Sequence, residues 1–243
     1  MKKAFIADID DTICPSTKPV APAMAAEIER IVRSGKIFAF ISGSTIEQIT
    51  AQITPYVRVP HHLLGVSGSH YSEVRYEGSA PVTTVVHRRD FPPEEKARVL
   101  AAFAGLMRRH DIRTQTTPED QLQDRGAQIT LSAIGRHAGE AAKRAFDPSG
   151  SRRDAWILEL VQELGPGFNI RRGGTSSIDV TPAGVDKEWG IRRFLEHTGL
   201  RPEEALFFGD NLQEGGNDSP ARRVVDCVEV RDPSHTHQLL QSL

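Results

Sequence analysis

Two kinds of spacing alternate along the start of the chain. Residues 3–7 are mostly apolar and run into Asp8-Ile9-Asp10-Asp11-Thr12, and Ile37-Phe38-Ala39-Phe40-Ile41 runs into Ser42-Gly43-Ser44-Thr45. Short apolar runs without alternation predict strands buried on both faces, as in a parallel sheet. Pro15, Pro19 and Pro22 break the stretch between them into a loop. Met24, Ile28, Ile31 and Val32 then fall at helical spacing, and Gly35 closes that helix. A second helix is predicted from Ile46 to Ile53. Strand, loop and helix repeating in this order imply parallel strands with right-handed crossovers, a Rossmann-like α/β sheet. Such sheets bind ligands beyond the carboxyl ends of their strands, where Asp8 and Ser42 both stand.

The pattern changes at Leu63. Short strand-like pieces separated by glycines follow at 63–68, 71–76 and 82–86. Pro92-Pro93-Glu94-Glu95 reads as a helix start, and Val99, Leu100, Phe103, Leu106 and Met107 continue that helix. Alternation over 127–132 predicts a half-exposed strand. A polar helix pair is expected over 138–164, then a strand or hairpin arm ending in Ser177-Ile178-Asp179-Val180. The strand–helix spacing resumes with a helix holding Lys187, Trp189, Ile191, Phe194 and Leu195, closed at Gly199. Ala205-Leu206-Phe207-Phe208 leads into Gly209-Asp210, Gly215-Gly216-Asn217-Asp218 follows, and a last strand at 224–230 is expected to complete the chain. The expected organisation is a catalytic core of residues 1–83 and 183–243, interrupted by an α+β cap domain at 84–182.

Composition narrows the class of partner. The 243 residues are 38% hydrophobic and 26% charged with a net charge of −2, which suits a globular fold and offers no basic footprint for nucleic acid or an anionic membrane. No apolar run approaches the roughly 18 residues of a membrane span. Met1-Lys2-Lys3 shows no leader pattern, and Cys14 and Cys227 lie too far apart to suggest a disulfide framework. A cytoplasmic enzyme acting on a small molecule is expected. His61-His62 and His235/His237 have no matching Cys or His set at zinc spacing, and Cys14 has no evident base to activate it.

The acidic motif changes the picture most. Three carboxylates in four residues are costly to bury unless a cation accompanies them. Hydrolysis or transfer of a phosphate ester needs a nucleophile, charge neutralisation, donors for oxygen and a proton for the leaving group. Asp8 can attack phosphorus and form an aspartyl phosphate. Asp10 can donate the proton if crowding keeps it protonated. Lys187 and Mg²⁺ can neutralise the transferring group, the metal taking Asp8, the Asp10 main-chain carbonyl and Asp210 as ligands. Asp218 is left between two roles, metal ligand and helix cap. The Ser42 hydroxyl and the backbone N–H groups about Gly43 can bind phosphoryl oxygens, and Ser42 is also expected to cap the next helix. Asp11 is expected to be a turn residue.

This layout resembles the haloacid dehalogenase superfamily. Asp8-Ile9-Asp10-Asp11-Thr12 matches its DxDxT motif, and Ser42, Lys187 and Asp210…Asp218 match its later motifs in order and strand position. The insertion's location is similar to the superfamily's larger α/β cap. A narrower resemblance, to the eukaryotic-type phosphomannomutases, covers most of the chain. It is carried by residues 125–136, similar to an RNGxxNxSPxGR motif, and by residues 171–187, similar to RGGxxSxDVxPxGxDK. Gly126-Ala127, Thr130 and Ala133 depart from the first motif, and Asp11 replaces a glycine. The resemblance implies that Arg125 and Arg136 grip a distal phosphate, and that Ser177 and Asp179 hold sugar hydroxyls. It places Lys143 near a further cap arginine of the family and implies a homodimer through the cap. Against ligand binding stands the plainer reading that the two arginines pair with Glu119 or Asp124.

The leading expectation is a Mg²⁺-dependent sugar-phosphate phosphatase, because hydrolysis demands least of an altered sugar-reading shell. A phosphohexomutase of the phosphomannomutase kind is the alternative. A non-catalytic sugar-phosphate binding protein is the third reading, and it leaves the pairing of Asp8 with Asp10 without a purpose.

Overall fold

The element β1 (Ala4–Ala7) is apolar throughout and buried throughout, and the rest of the first unit is layered around it. The computed structural model describes residues 2–243; Met1, the first residue of the expected core, lies outside them. In chain order there follow α1 (Pro22–Arg33), β2 (Ile37–Ile41), α2 (Ile46–Ile53), β3 (His61–Gly65), β4 (His70–Glu77) and β5 (Ala80–Arg88). Next come α3 (Pro93–Arg109), α4 (Pro118–Gln121), β6 (Leu122–Asp124), β7 (Ile129–Ser132), α5 (Glu140–Phe146), α6 (Ser151–Leu164), β8 (Phe168–Gly173) and β9 (Ser177–Pro182). The chain closes with α7 (Lys187–Thr198), β10 (Ala205–Gly209), β11 (Asp226–Glu229) and α8 (Pro233–Gln241).

Two units divide the chain, one running to Arg88 and resuming over Val185–Leu243, the other Arg89–Gly184. Both borders lie a few residues later in the chain than the expected 83/84 and 182/183, the first for a physical reason. Strand β5 stays hydrogen-bonded to β4 as far as the His70↔Arg88 pair, so residues 84–88 belong to the first unit's sheet.

That sheet has seven strands in the order β11-β10-β1-β2-β3-β4-β5. The first five are parallel and the β4–β5 hairpin is antiparallel. Alternation along β1 sends Phe5 and Ala7 into one apolar layer, with Met24, Ile28, Ile49 and Leu240 of α1, α2 and α8. Ala4 and Ile6 enter the other, with Ile191, Phe194 and Leu195 of α7. Covering both faces is what lets an uninterrupted apolar run form a strand, and each large side chain so buried contributes roughly 1.5–3 kcal/mol. Helix α2 starts with a reciprocal cap: the Gln48 N–H donates to Thr45 Oγ1 and the Thr45 N–H donates to Gln48 Oε1. The cap expected of Ser42 therefore belongs to Thr45. Helix α8 lies beyond the strand expected to complete the chain. Asp232 caps it, accepting from the His235 N–H at 2.8 Å, and its few apolar positions are diluted by polar ones.

The second unit is an antiparallel sheet in the order β6-β7-β9-β8 with α3 and α6 against it. Ile129, Leu131, Ile178 and Val180 join Phe103, Trp156 and Leu160 in its core. Strand β7 was expected to be half exposed, and it is buried on both faces. Its polar side chains are satisfied internally: Thr130 Oγ1 donates to Asp179 Oδ1 at 2.7 Å, and the Ser132 and Ser177 hydroxyls lie 3.1 Å apart. A hydrogen-bonded hydroxyl can be buried at little net cost, whereas an unpaired one cannot. Among the described residues no helix is long and apolar enough to cross a membrane.

Candidate active site

Parallel pairing of β1 with both β2 and β10 places Asp8, Ser42 and Asp210 just past the same ends of neighbouring strands. The Asp8 N–H donates to the Phe208 carbonyl at 2.9 Å, which ties the first acidic residue to β10. Lys187, the first residue of α7, comes in from the layer above. Its Nζ lies 2.6 Å from Asp8 Oδ1 and also pairs with Asp218 Oδ1. Asp218 is fully buried, and its other oxygen accepts from the Asn211 N–H at 3.1 Å. Helix α7 can begin here because Asp186 caps it, accepting from the Trp189 N–H at 3.2 Å. Arg223 grips the same turn from outside, pairing with Asp186 at 3.2 Å and with Glu188.

Oxygens of Asp8, Asp210 and Asp218 all lie within 4.8 Å of one another. If all three were ionised, one ammonium would leave them a net charge of −2 in a largely buried place. Burial pushes the Asp8 carboxyl well above its ordinary value; Lys187 pulls it back, while Asp218 and Asp210 push it further. Asp210 is raised by burial and by Asp218, against Lys187. For Lys187 burial alone would lower the ammonium's pKa, but the Asp218 and Asp8 carboxylates outweigh it and hold the group above its usual range. An all-oxygen donor set with two uncompensated negative charges fits a hard divalent cation such as Mg²⁺. Thr12, used in the sequence only as a motif letter, is fully buried and donates to Asp210 Oδ1 at 3.2 Å.

Asp10 lies outside this carboxylate cluster. Its Oδ1 accepts from the Thr17 N–H at 2.8 Å, so its assignment to the metal concerns the main-chain carbonyl alone. Asp11 is exposed with φ 59° and accepts from the Ser16 N–H at 3.3 Å, the setting of a turn residue. Ser42 is buried past β2; its N–H donates to the Leu64 carbonyl at 3.0 Å and its Oγ accepts from the Ser44 N–H at 3.1 Å. Gly43 follows it, half buried. Cys14 is buried, and burial followed by Asp10, Asp8 and Asp11 pushes its thiol up to about 12, which leaves it unreactive. His61 bonds Thr54 and the Val59 carbonyl, and His62 bonds the Tyr71 hydroxyl at 2.9 Å. Both are core histidines.

In the second unit the β7–β9 register sets Thr130 opposite Asp179 and Ser132 opposite Ser177. Asp179 is raised by burial, against Arg125, Thr130 and Gln128. Arg125 Nη2 donates to Gln123 Oε1 at 2.8 Å. Arg125, Ser177 and Asp179 therefore share one polar sheet face with Gln123, Gln128, Thr130 and Ser132. The structure gives Gln128 and Thr130 a part in that face; Thr130 stood in the sequence only as a motif departure, and Gln128 was not singled out there. Arg136 and Lys143 lie on the segments after β7. Arg136 acts on the Asp120 carboxylate, and Lys143 Nζ lies 3.6 Å from Glu140. Of the two carboxylates weighed as structural partners for the arginines, Asp124 pairs with Lys96 at 2.8 Å.

A family model described as eukaryotic phosphomannomutase matches residues 27–243. A phosphomannomutase of Spinacia oleracea is 28% identical over 255 residues, spanning 94% of this chain and 96% of its own. The Saccharomyces cerevisiae phosphomannomutase is 26% identical, spanning 97% and 92%. Among solved structures, an N-terminally truncated Plasmodium falciparum IMP-nucleotidase superposes with a TM-score of 0.73 at 12% identity, covering 99% of this chain and 70% of its own. A haloacid dehalogenase-like hydrolase from Bacteroides thetaiotaomicron gives 0.63 at 15%, covering 100% and 99%. At such identities the solved structures speak for the fold alone. The family match begins after Asp8 and Asp10, so the first acidic motif rests on its own geometry.

Proposed function

Since the chain belongs to the eukaryotic phosphomannomutase family, and is thereby a phosphoryl-transfer enzyme of the haloacid dehalogenase type, we propose that it is a Mg²⁺-dependent phosphohexomutase. The observation that carries the mutase over the phosphatase is the reach of the family match, which takes in the whole second unit as well as the later core. The ranking expected from the sequence, hydrolysis first, is reversed on that ground.

Asp8 is the nucleophile. Its Oδ1 is held by Lys187, which leaves the carboxylate oriented and gives the transferring phosphoryl a fixed positive neighbour. Asp8, the Asp10 main-chain carbonyl and Asp210 would hold Mg²⁺, which would supply neutralisation of phosphoryl charge, while Asp218 holds Lys187 in place. The phosphate ester bond to the sugar oxygen breaks as the bond to Asp8 forms, and Asp10 gives that oxygen its proton. The donor in that step is a hexose bisphosphate. In the second half-reaction Asp10 takes the proton from the free hydroxyl of a bound hexose monophosphate, whose oxygen attacks the aspartyl phosphate, re-forming the bisphosphate as the bond to Asp8 breaks. Ser42 and the Gly43 N–H bind phosphoryl oxygens throughout. Arg125, Arg136 and Lys143 receive the distal phosphate, and Ser177 and Asp179 read sugar hydroxyls. Arginine suits the distal role because its planar fork binds phosphate through two parallel hydrogen bonds. The active species is a homodimer formed through the second unit.

Hexose 1-phosphates incubated with Mg²⁺, with and without a hexose 1,6-bisphosphate, test the reading. Hexose 6-phosphate formed faster with bisphosphate, and without matching free phosphate, is the expected result. Free phosphate equal to the substrate consumed would assign the protein to hydrolysis instead.

A further inference from the structure

Strand β3 ends at Gly65, and the next three residues all adopt positive φ: Val66 at 50°, Ser67 at 57° and Gly68 at 92°. A β-branched residue in that region is an outlier, and such strain persists only where the surroundings over-determine it. Two sets of contacts do so. On one side the Val66 N–H donates to the Ser44 carbonyl at 2.8 Å and the Ser67 N–H donates to the Ser42 carbonyl at 2.8 Å. On the other side the turn meets α7 backbone to backbone. A Cβ added at Gly68 would lie 2.3 Å from Gly190 Cα, and one added at Gly190 would lie 2.6 Å from the Ser67 carbonyl oxygen. The neighbouring Ser69 hydroxyl is buried and finds no hydrogen-bond partner among the described residues, a further sign that local preferences yield here.

In a trans peptide the C=O and the following N–H point opposite ways. Capture of the Ser42 carbonyl by Ser67 therefore turns the Gly43 N–H away from the turn. Capture of the Ser44 carbonyl does the same for Thr45, whose N–H donates to Gln48 at the start of α2. Gly190 stands three residues after Lys187 in the same helix. One strained turn thus touches both groups assigned to phosphate, the Ser42–Gly43 peptide by hydrogen bonds and the Lys187 helix by close contact.

We infer that the Val66–Gly68 turn is a positioning element that sets the orientation of the Ser42–Gly43 peptide and its spacing from the Lys187 helix. The inference rests on the phosphoryl-transfer reading of this site. It explains why a helix interior carries glycine at 190, where alanine would ordinarily stabilise the helix. It also explains why Val66 is tolerated in a conformation that asparagine or glycine would take more readily.

Calorimetric titration with inorganic phosphate, in Mg²⁺, reads the site without any sugar or turnover. Gly190→Ala is expected to bind phosphate at least tenfold more weakly and to lose kcat to a similar extent. Val66→Asn, which suits positive φ, should keep phosphate affinity within twofold, although its amide enters a fully buried position. Val66→Gly relieves the positive φ but removes a fully buried side chain, so its Tm falls while the turn loosens; a threefold or greater loss of phosphate affinity in the folded variant is expected. Wild-type binding with unchanged affinity in a folded Gly190→Ala or in Val66→Gly overturns the inference alone. A wild-type protein that binds no phosphate sinks the phosphoryl-transfer reading and the inference together.

Discussion

Lys187 is the residue on which the site's charge balance turns. A fully buried ammonium between Asp8 and Asp218 is stable only as part of that trio. Removing it leaves two buried carboxylates without their cation, and breaking a buried pair in this way costs about 3–5 kcal/mol. Lys187→Ala is therefore expected to lower the denaturant midpoint sharply and to abolish turnover. Adding Asp8→Asn to that variant should restore part of the stability, because one of the orphaned charges is gone, while turnover stays lost. Urea titration of the two variants measures the difference, and equal stability of single and double variants would count against the pair. The residue scale is also where the sequence was most legible: carboxylates ending a buried strand call for a cation, and the Lys187 ammonium stands 2.6 Å from Asp8. That Asp218 would give one oxygen to a lysine 31 positions earlier and the other to the Asn211 N–H was not readable, because both contacts are made only by folding.

At the scale of elements, β3 holds two successive buried histidines. Burial lowers His61 to about 4 against the pull of the Val59 carbonyl. Burial lowers His62 to about 4 as well, helped by His197, His61 and Arg75 and opposed by Glu73. An unfolded histidine titrates near 6.5, so between about pH 4 and 6.5 the unfolded chain binds more protons than the folded one. Stability should be complete above pH 6.5 and decline as pH falls toward 4, by roughly 1.4 kcal/mol per pH unit for each histidine. Urea midpoints measured across that range should show the slope, and His61→Gln should flatten it by about one proton; an unchanged slope would place the proton uptake elsewhere. Elements were legible where periodicity was clean. Helix α2 runs from Ile46 to Ile53 as its apolar spacing predicts, although its cap is Thr45 rather than the expected Ser42. They were less legible where burial was polar, as in β7, or where apolar positions were sparse, as in α8.

For the whole molecule, two units carry separate apolar cores, and the chain places one tryptophan in each: Trp156 in the second, Trp189 in the first. The metal ligands proposed for Mg²⁺ all belong to the first unit. A ligand that binds only the folded form adds about 2.7 kcal/mol at a hundredfold excess over Kd. Mg²⁺ is therefore expected to raise the transition reported by Trp189 in a Trp156→Phe variant, and EDTA to reverse it. The transition reported by Trp156 in a Trp189→Phe variant should stay where it is. A shift confined to the Trp156 signal would move the metal out of the proposed site.

Local pattern sufficed for what depends on near neighbours in sequence. It determined the parallel α/β core, the interruption by an α+β insertion, and which strand ends carry Asp8, Ser42 and Asp210, because side-chain periodicity and the direction of crossovers are local or nearly so. The tertiary structure alone decided what depends on distant partners. It carried β5 to Arg88 by pairing with β4, buried Thr130 and Ser132 by giving them Asp179 and Ser177, and set Lys187 between two carboxylates. It also forced Val66 into a left-handed turn against Gly190. A buried polar group or a strained backbone is stable only with its partner in place, and the linear pattern does not say which partner arrives.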